Sequence, residues 1–505
     1  MSDRTPSTPE PDDLPEQMRV RRAKRAEMLE RGKAPYQVGF TRTHTIAELR
    51  AAYPDLEPGT ETGDRVAVAG RVIFLRNTGK LCFARLRAGD GTELQAMISL
   101  DRVGRDSLAD WKHLVDIGDH IGVEGEVITS RRGELSVLAD RWLIVSKALR
   151  PLPVAHKTLT EETRIRQRYV DLIMSPEARA MVRTRAALVR SVRRTLDRRG
   201  YTEVETPVLQ ASHGGAAARP FATRVNAFDQ EMTLRIALEL HLKRAIVGGI
   251  ERVFEIGRIF RNEGVDSTHH PEFTMLEAYE AYGDYDSMAE LTTEIVLEAA
   301  RAAGRTVVPD GRGGEVDLEG PWRRVALHEA VSEAVGEVVT IDTGAGRLRE
   351  LAAKHDVDLQ PGWGHGEIVL ELFEKLVEHT LVRPTFVRDY PASVRPLARP
   401  HRDDPRLTEA WDLVIGGVEL AVAYTELVDP VIQRERLVAQ SLLAAEGDPE
   451  AMDLDEDFLR ALEYGMPPTG GMGLGIDRLA MILMGVGIRE TILFPLVKPE
   501  APGTQ

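Results

Sequence analysis

FRNEGVDSTHHPEF, residues 260–273, is the stretch that decides the fold, because it places charged groups directly after a strand-like run. The run before it, ERVFEIGRIF, alternates as a β-strand does. Arg261 and Glu263 have the same parity and therefore share a face. A guanidinium suits an α-phosphate, because its fork donates two hydrogen bonds that strengthen as negative charge develops there. The alternative is a surface ion pair, which contributes little.

A second strand-like run, EFTMLEAYEAY, follows the loop and places Phe273, Glu277 and Tyr279 on one face. Two antiparallel strands joined by a mobile loop would present an arginine, carboxylates and an aromatic ring to one cavity. An aromatic ring in the cavity wall suits a stacked purine. His269 or His270 could move over a polyphosphate. The alternative is a loop that has no role in binding. Adjacent histidines in a loop rarely both ligate one ion, so we do not expect this pair to bind a metal.

The second charged cluster is a predicted hairpin, EAWDLVIGGVELAVAYTEL, residues 409–427. The two central glycines predict a tight turn that pairs Asp412 with Ala421. Glu419 then lies diagonal to Asp412 on the same face, and two hard carboxylates there suit Mg²⁺ bridging phosphates. Glu426 has the opposite parity from Glu419, so the strand needs a bulge between them if both serve one cavity.

The third cluster is PPTGGMGLGIDRLAM, residues 467–481. Its glycines allow close backbone approach, and a helix begins near Ile476. Arg478 lies in the first turn, where an arginine on a buried-looking helix indicates an anionic ligand. No GxxxxGK[ST] or GxGxxG pattern occurs, so neither a P-loop nor a Rossmann nucleotide site is indicated.

Composition limits the class of protein. The chain has 505 residues, 43% apolar and 29% charged, as in ordinary globular proteins. Its net charge of −15 argues against binding nucleic acid by bulk charge, but a local basic stripe could still do so. One cysteine, Cys82, excludes a disulfide framework and fits a reducing compartment. Because no signal-peptide segment and no apolar run of ~20 residues occur, we expect a cytoplasmic protein that does not enter a membrane.

Residues 1–60 are expected to form an N-terminal extension. Residues 1–14 are rich in Pro, Ser and Asp, which predicts a disordered tail. The run EQMRVRRAKRAEMLERG, residues 16–32, predicts a basic helix. Its arginines and lysine would form either a solvated face or an arm that contacts phosphates.

Residues 61–150 contain five short alternating runs, which predict a small closed barrel of the oligonucleotide-binding type, the OB-fold. In such a barrel an exposed Phe83 could stack on an unpaired base, with Arg76 or Gln95 reading the base edge. Periodicity alone favours the alternative, a Phe83 buried in the core.

Residues 151–176 are interpreted as a proline-punctuated linker to a second domain, residues 177–500. Ser175 is a suitable cap for a long helix with Pro176 at its first position. Apolar residues fall on one face of this helix and arginines on the other.

The three clusters together resemble the three motifs of class II aminoacyl-tRNA synthetases, the first motif being the long helix and the strand that ends in Pro207. A barrel before the catalytic domain narrows the resemblance to the group charging aspartate, asparagine and lysine. Nearly the whole chain is similar to bacterial lysyl-tRNA synthetases, through the segments RPLPVAHK, RQRYVDLI, GGAAARPF, LKRAIVGG, TELVDP, EDFLRALEYGMPP and LFPLVKP. The resemblance implies an α+β fold: an OB-fold barrel, then a catalytic domain with a mixed, mainly antiparallel sheet flanked by helices.

The resemblance also implies site residues. The residues that match ATP-binding positions are Arg261, Glu263, His269, Phe273 and Arg478. Arg261, Glu263 and Arg478 match the catalytic positions. The residues that match the lysine pocket are Gly215, Glu239, Glu277, Tyr279 and Glu426. Asp412 and Glu419 match magnesium carboxylates, and the residues that match the anticodon-binding face are Arg76, Phe83 and Gln95.

Charge independently favours lysine as the substrate. Glu239, Glu277 and Glu426 can satisfy two ammonium groups, whereas an aspartate-specific site would need a cation there. The positions that depart from the family pattern are Leu238 for proline, His241 for Tyr or Phe, Arg395 for a small residue, Asp412 for glutamate and Val422 for a polar residue. They raise the hypothesis of a diverged duplicate with altered selectivity.

The implied reaction has two steps: lysine and ATP, with Mg²⁺, form lysyl-adenylate, and lysine then passes to the 3′ end of tRNA(Lys). The implied assembly is a homodimer through the first motif. Two alternatives stay open: a non-catalytic RNA-binding relative, and an enzyme that adenylates lysine for an acceptor other than tRNA. The intact charged positions argue against the first, and the barrel argues against the second.

Overall fold

The computed structural model describes residues 14–153, 159–310, 312–445, 452 and 454–499. The chain divides into two compact units, Met1–Arg179 and Ala180–Gln505. Residues 1–13 of the predicted disordered tail lie outside the described residues.

The first unit is built on a closed five-stranded barrel, as the alternating runs predict. Its strands are β1 Glu61–Asn77, β2 Leu81–Arg87, β3 Glu93–Ser99, β4 His120–Thr129 and β5 Leu135–Ser146. They pair in the order β1-β2-β3-β5-β4. The residues that fill its interior include Val68, Cys82, Leu86, Ile98, Trp111 and Val123. β1 contains a bulge between Val72 and Phe74, which reverses the inward and outward alternation beyond it.

Six helices accompany the barrel in the described part of this unit: α1 Glu16–Glu30, α2 Ile46–Ala52, α3 Leu100–Val103, α4 Arg105–Leu114, α5 Glu161–Arg166 and α6 Arg168–Met174. The predicted basic helix is α1. Arg21 on it is buried and donates to the carbonyl of Ile117 at 2.9 Å, and Lys24 forms an ion pair with Asp116 at 2.7 Å. These two basic side chains therefore hold α1 to the barrel and are not free to contact phosphates. The predicted linker contains α5 and α6.

The second unit carries an eight-stranded sheet and two small sheets. Its strands are β6 Thr202–Glu203, β7 Leu209–Gln210, β8 Ala222–Val225, β9 Gln230–Leu234, β10 Arg252–Phe260, β11 Glu272–Ala281, β12 Val307–Pro309, β13 Glu315–Asp317, β14 Arg323–Ala326, β15 Thr385–Pro391, β16 Leu407–Ile415, β17 Val418–Thr425 and β18 Thr469–Gly475. The large sheet has the order β14-β15-β16-β17-β18-β11-β10-β6. Only its β14–β15 and β10–β6 pairs are parallel among the described strands, so it is the mixed, mainly antiparallel sheet that was expected.

Helices flank this sheet: α7 Pro176–Arg198, α8 Glu239–Val247, α9 Tyr285–Ala303, α10 Leu327–Val335, α11 Ala345–Lys354, α12 His365–Leu376, α13 Pro430–Ala445, α14 Glu456–Glu463, α15 Ile476–Met484 and α16 Ile488–Thr491. The Oγ atom of Ser175 accepts a hydrogen bond from the Ala178 N–H at 3.1 Å, which confirms the predicted cap of α7. Over the described residues, no helix combines the length and apolar character that crossing a membrane requires.

One face of the large sheet packs on α7, α9 and α15, and the other face carries the site residues together with a smaller cluster that packs on α8 and α14. Leu188 and Val192 of α7 meet Leu276 of β11 and Leu474 of β18 in a single buried cluster. Because side chains alternate along a strand, Glu277 and its same-parity neighbours point to the opposite face. The site residues of β11 therefore lie on the face opposite to the cluster that contains α7.

The hairpin β16–β17 has a bulge where the sequence required one. Leu413 pairs with Ala421 and Val414 pairs with Glu419, so Leu420 is the extra residue. This bulge puts Glu419 and Glu426 on the same face, as the sequence argument needed. The predicted pairing of Asp412 with Ala421 is wrong, because the same bulge shifts the partner of Asp412 to Val422.

Candidate active site

A row of residues across four strands forms the floor of the site. Asp412 pairs with Val422, Val422 with Gly473, and Gly473 with Glu277. A Cβ atom on Gly473 would lie 2.7 Å from the Cε atom of Met275. A Cβ atom on the neighbouring Gly471 would lie 2.0 Å from Glu426 Oε1, so a side chain there would displace Glu426. The glycines of β18 thus leave the floor open for charged groups from both neighbouring strands.

A cavity of about 220 Å³ lies at one end of this floor. All five residues expected to bind ATP line it, together with one predicted metal carboxylate: Arg261, Glu263, His269, Phe273, Arg478 and Glu419. The guanidinium carbon of Arg261 lies 5.4 Å from the centroid of the Phe273 ring. Arg261 Nε donates to the carbonyl of Ile236 at 3.2 Å, which leaves the outer nitrogens of its fork for an anion.

The two loop histidines have different environments. His270 is buried, and its Nε2 atom accepts from the Leu496 N–H at 2.8 Å while Nδ1 contacts the carbonyl oxygen of Glu272 at 2.5 Å. His269 is exposed at the cavity, with Nδ1 2.9 Å from Asp266 Oδ2 and Nε2 3.4 Å from a nitrogen of Arg478. His269 is therefore the histidine with a ring free to meet a ligand.

Asp477 joins the three predicted motifs. Its Oδ2 atom accepts from the N–H of Thr274 on β11 at 2.6 Å, and Oδ1 forms an ion pair with Arg185 of α7 at 2.6 Å. The next residue, Arg478, donates to the carbonyl of Glu419 at 2.8 Å and lies 3.2 Å from its Oε1 atom. Arg478 is thus positioned at the cavity by its own contact with β17 and by the contact of Asp477 with β11.

Three buried carboxylates meet at the other end of the floor. Lys243 Nζ lies 2.6 Å from Glu239 Oε1 and 2.5 Å from Glu426 Oε2, and all three residues are buried. Glu277 accepts from the Leu238 N–H at 2.9 Å and from the Tyr279 hydroxyl at 3.0 Å. The structure therefore brings together the predicted lysine-binding carboxylates, but it adds a lysine of the chain itself.

The charge balance of this cluster is negative. Three carboxylates share this cluster with one internal ammonium group, that of Lys243, so ionisation of all three would leave two negative charges unbalanced. Glu255, which follows Glu277 in the same row, is neutralised by Arg235 at 2.7 Å. Burying such uncompensated charge is costly. A ligand that carries two cationic groups would balance it.

The pKa values of these groups reflect the same cost of burying carboxylates close together. Burial, and then the charge of Glu239, raises the pKa of Glu277 to about 7, although the Leu238 N–H and the Tyr279 hydroxyl oppose the shift. Burial raises the pKa of Glu426 too, against the influence of Lys243. The pKa of Lys243 is raised, because Glu239 and Glu426 outweigh its burial. Lys243 is therefore the permanent cation of the cluster.

Gly215 lies beside Glu239, as the resemblance implies. It has a φ of +87°, and a Cβ atom there would lie 3.1 Å from the Cβ atoms of both Ala237 and Glu239. Gly215 and Glu239 line a second cavity, of about 310 Å³, whose wall also includes Arg395 and Tyr424. Only glycine fits this turn without strain, so Gly215 brings its backbone close to the carboxylate cluster.

The two predicted metal ligands are not equivalent. Glu419 lines the 220 Å³ cavity, but Asp412 Oδ2 lies 2.5 Å from a guanidinium nitrogen of Arg395. Among the described residues, no group of three or more His, Cys, Asp or Glu side chains is arranged to hold a metal ion. Glu419 therefore fits a metal that accompanies phosphates, and Asp412 does not fit as its partner.

On the barrel, the three predicted anticodon residues share the outer face. Arg76 pairs with Phe83, and Phe83 is half-buried between the inward-facing Cys82 and Ala84, so the core interpretation of Phe83 is wrong. Gln95 belongs to the next strand on this face, and its amide donates to Ser136 Oγ at 2.9 Å.

Sequence reasoning missed several residues that shape these sites: Phe74, Arg185, Lys243 and Asp477. Exposed Phe74 joins the outer face of the barrel, with the guanidinium of Arg85 5.9 Å from its ring centroid. Simple alternation from Val72 would bury Phe74, and only the bulge turns it outward. Lys243 did have a signal, because it lies four residues after Glu239 in a helical pattern.

Glu277 gives a testable dependence of stability on pH. The pKa of Glu277 in the folded state is about 7, above its ordinary value of 4.5. Because the folded state binds this proton more tightly than the unfolded state does, protonation of Glu277 stabilises the fold fully below pH 4.5. This stabilisation is lost as the pH rises from 4.5 through 7. The variant E277Q keeps an uncharged group at all pH values. We expect the melting temperature of the unliganded wild-type protein, relative to E277Q, to fall between about pH 4.5 and pH 7 and to level off above that.

Differential scanning fluorimetry across this pH range measures that difference. The exposed Glu435 on α13 supplies the matched control E435Q, whose difference from the wild type should not change with pH. A constant difference between the wild type and E277Q would contradict the raised pKa.

Comparisons with known proteins agree with this geometry. Residues 160–498 match the family described as "tRNA synthetases class II (D, K and N)", and residues 66–145 match "OB-fold nucleic acid binding domain". The chain is 60% identical to a lysine–tRNA ligase of Mycolicibacterium gilvum, over 97% of this chain and 98% of that protein. It is 57% identical to one of Mycobacterium tuberculosis, with the same coverage.

A different relative is the lysylphosphatidylglycerol biosynthesis bifunctional protein LysX of Nocardia farcinica. Identity is 50% over 98% of this chain, but only 44% of that protein is covered. The family match covers both the large sheet and its charged face, and the named ligases match from end to end. The chain therefore belongs to the class II aminoacyl-tRNA synthetases of the aspartate, lysine and asparagine group, in the family of the lysine–tRNA ligases.

Proposed function

We propose that this chain is a lysine–tRNA ligase that activates L-lysine with ATP and transfers it to the 3′ end of tRNA(Lys). The observation that carries the proposal is the buried cluster of Glu239, Glu277, Glu426 and Lys243, in which three carboxylates share one ammonium group. Lysine supplies two ammonium groups, and its carboxylate can extend toward Arg261 in the neighbouring cavity. An aspartate or asparagine side chain would leave the carboxylates without a cation.

Each ammonium group has candidate partners. Glu426 Oε2 is held by Lys243 at 2.5 Å, whereas its other oxygen, Oε1, lies beside Gly471 on the floor, where it can accept from a ligand. Glu277 and the Tyr279 hydroxyl lie beside it at the base of the pocket. The turn at Gly215 and the carboxylate of Glu239 suit the α-amino group, because they lie together at the wall of the 310 Å³ cavity.

ATP is proposed to occupy the 220 Å³ cavity. The Phe273 ring stacks on adenine with Glu263 at the base edge, Arg261 contacts the α-phosphate, and His269 with Arg478 contacts the outer phosphates. The contacts support this order, because Arg261 lies beside the Phe273 ring while His269 and Arg478 lie together.

The first chemical step follows from this placement. A carboxylate oxygen of lysine attacks the α-phosphorus, the bond from that phosphorus to the oxygen bridging to the β-phosphate breaks, and pyrophosphate leaves with the electron pair. Arg261 stabilises the charge that develops on the α-phosphate oxygens. In the second step a terminal ribose hydroxyl of tRNA attacks the carbonyl carbon, and AMP leaves. No side-chain nucleophile is needed, because the rate comes from positioning and electrostatics.

Members of this family use ATP and generally Mg²⁺. We propose that Glu419 is the residue of this chain that faces a Mg²⁺ ion accompanying the phosphates, an ion that would neutralise phosphate charge when bound. Arg478, which contacts Glu419, keeps this carboxylate at the cavity wall.

We propose that the outer face of the barrel reads the anticodon. Phe83 offers a half-buried ring on this face for a base, and Arg76 lies opposite it on β1. Several arginines of α7 are poor candidates for tRNA phosphates, because they form ion pairs within the chain; these are Arg185, Arg193 and Arg198. Exposed residues elsewhere on the second unit must carry more of that contact.

We further propose a cytoplasmic homodimer. Exposed apolar side chains follow α7 in the region of the first motif: Val208, Leu209 and Phe228. Such a cluster supports an interface between copies of the chain. Light scattering of the purified protein should give twice the 56.0 kDa chain mass, and a monomer would contradict the proposal.

The amino-acid specificity can be tested by ATP–pyrophosphate exchange, run with each amino acid and with and without tRNA. We expect exchange with lysine and little with aspartate or asparagine. E277Q should lower kcat/KM for lysine by roughly 30- to 1000-fold, because it removes a buried carboxylate that faces an ammonium group. The KM for ATP should stay within about threefold, since Glu277 lies outside the ATP cavity.

E435Q is again the control and should exchange as the wild type does. If no amino acid supported exchange in the wild-type protein, the non-catalytic alternative would be favoured. Exchange with lysine but no lysyl-tRNA product would favour an acceptor other than tRNA.

The barrel can be tested separately from adenylation. Phe83→Ala removes the stacking ring, so we expect aminoacylation of tRNA(Lys) to fall by roughly 10- to 100-fold while pyrophosphate exchange without tRNA is unchanged. Val38→Ala, at a fully exposed position of the same unit, is the control. Equal losses in both reactions would mean that Phe83 acts through folding and not through tRNA.

A further inference from the structure

Arg395 is held firmly beside the predicted metal carboxylate Asp412. It follows the 3₁₀ turn Ala392–Val394, and one guanidinium nitrogen lies 2.5 Å from Asp412 Oδ2. The guanidinium carbon lies 4.3 Å from the centroid of the Tyr390 ring, a cation–π contact. Arg436 donates to the carbonyl oxygen of Arg395 at 3.2 Å, which fixes the backbone of this segment.

The pair is shielded from solvent. Relative side-chain exposures are 18% for Arg395 and 6% for Asp412. A guanidinium does not lose its proton in proteins, so Arg395 places a permanent positive charge here. Burial raises the pKa of Asp412, and Arg395 opposes that shift. Removing either partner alone would leave a buried charge uncompensated.

The pair lies next to the proposed ATP site. Glu419 pairs with Val414, two residues along the strand from Asp412, so both carboxylates are on the same face of the sheet. Arg478 contacts Glu419 from the other side. Glu374 of α12 and Glu378 of the following turn are also close enough for the charge of Glu419 to raise their pKa values, after burial. Two guanidinium groups are thus set among four carboxylates.

A divalent ion shared by Asp412 and Glu419 would compete with Arg395. Mg²⁺ needs carboxylate oxygens at about 2.1 Å in near-octahedral geometry, but Asp412 Oδ2 is held by Arg395. The other oxygen, Oδ1, is buried, and the Tyr390 hydroxyl lies close enough to interact with this carboxylate, so Asp412 can offer one oxygen at most without moving. An ion bound there would also lie close to a fixed positive charge that repels it.

We propose that Arg395 is a built-in cation that stands in for a divalent ion between Asp412 and Glu419. The ATP site of this chain then takes up one divalent ion fewer than a site in which both carboxylates are free. Arg395 is a positioning residue: it neutralises Asp412 and leaves Glu419 as the metal-facing carboxylate of this pair. The proposal rests on the ATP site described under the proposed function.

The test counts metal ions directly. Mn²⁺ replaces Mg²⁺, and bound Mn²⁺ per chain is measured by electron paramagnetic resonance with a saturating non-hydrolysable ATP analogue. R395Q removes the charge but keeps much of the side-chain length, and R395S, which resembles the small residue of the family pattern, is the second variant. We expect each to bind about one more Mn²⁺ per chain than the wild type.

Two controls separate the causes. R399S changes an exposed arginine of the same segment and should keep the wild-type count. The double variant R395Q/D412N should lose the additional ion, because the freed carboxylate is then absent. Near-ultraviolet circular dichroism checks that each variant is folded.

The outcomes distinguish this inference from the proposed function. If the wild-type protein fails to bind the ATP analogue, the proposed ATP site is wrong. If the wild type binds the analogue but the folded R395Q and R395S proteins bind no additional Mn²⁺, Arg395 does not stand in for an ion. An additional ion that persists in R395Q/D412N would also overturn the assignment, since it would not use Asp412.

Discussion

The site depends on one buried ion pair network, in which Lys243 of α8 bridges Glu239 and Glu426. Two carboxylates buried together without a cation would repel each other and would take up protons. With Lys243 between them they stay close, and α8 is tied to the strand end after β17. Glu277 is held separately, by a backbone N–H and a tyrosine hydroxyl. The network therefore prepares a pocket that is short of two positive charges before any substrate arrives.

The site also requires that its charged side chains lie on one face of the sheet, and the course of the backbone determines whether they do. Alternation alone would put Glu419 and Glu426 on opposite faces, and the extra residue Leu420 corrects this. The glycines of β18 then keep the floor between β11 and β17 clear. Gly471 is the glycine with the least space for a side chain. Packing of the opposite face on α7, α9 and α15 gives the sheet a rigid support.

The sequence was sufficient to predict the helices and strands and, for most site residues, which side chains share a face of a strand. Period-two alternation identified the barrel and the strands around residues 260–273, and the cap at Ser175 located α7. The wrong predictions arose where one inserted residue in a strand changes the face of the sheet to which the following side chains point. The bulges in β1 and β17 hid Phe74 and shifted the partner of Asp412, because no local pattern marks an inserted residue. Ion pairs between residues far apart in the chain also could not be predicted from the sequence, and the Arg185–Asp477 pair is the clearest case.

The departures from the family pattern become intelligible as changes in charge and hydrogen bonding around the same floor. Leu238 stands where the pattern has proline, and its N–H donates to Glu277, a bond that proline cannot make. Arg395 and the shortened carboxylate of Asp412 form one neutral pair, so each change makes the other tolerable. Val422, opposite Asp412, adds no polar group to this row. Arg395 also lines the 310 Å³ cavity beside Gly215 and Glu239, so its charge borders both the proposed lysine pocket and the carboxylate of Asp412. The departures therefore change hydrogen bonding and charge where the two proposed sites meet.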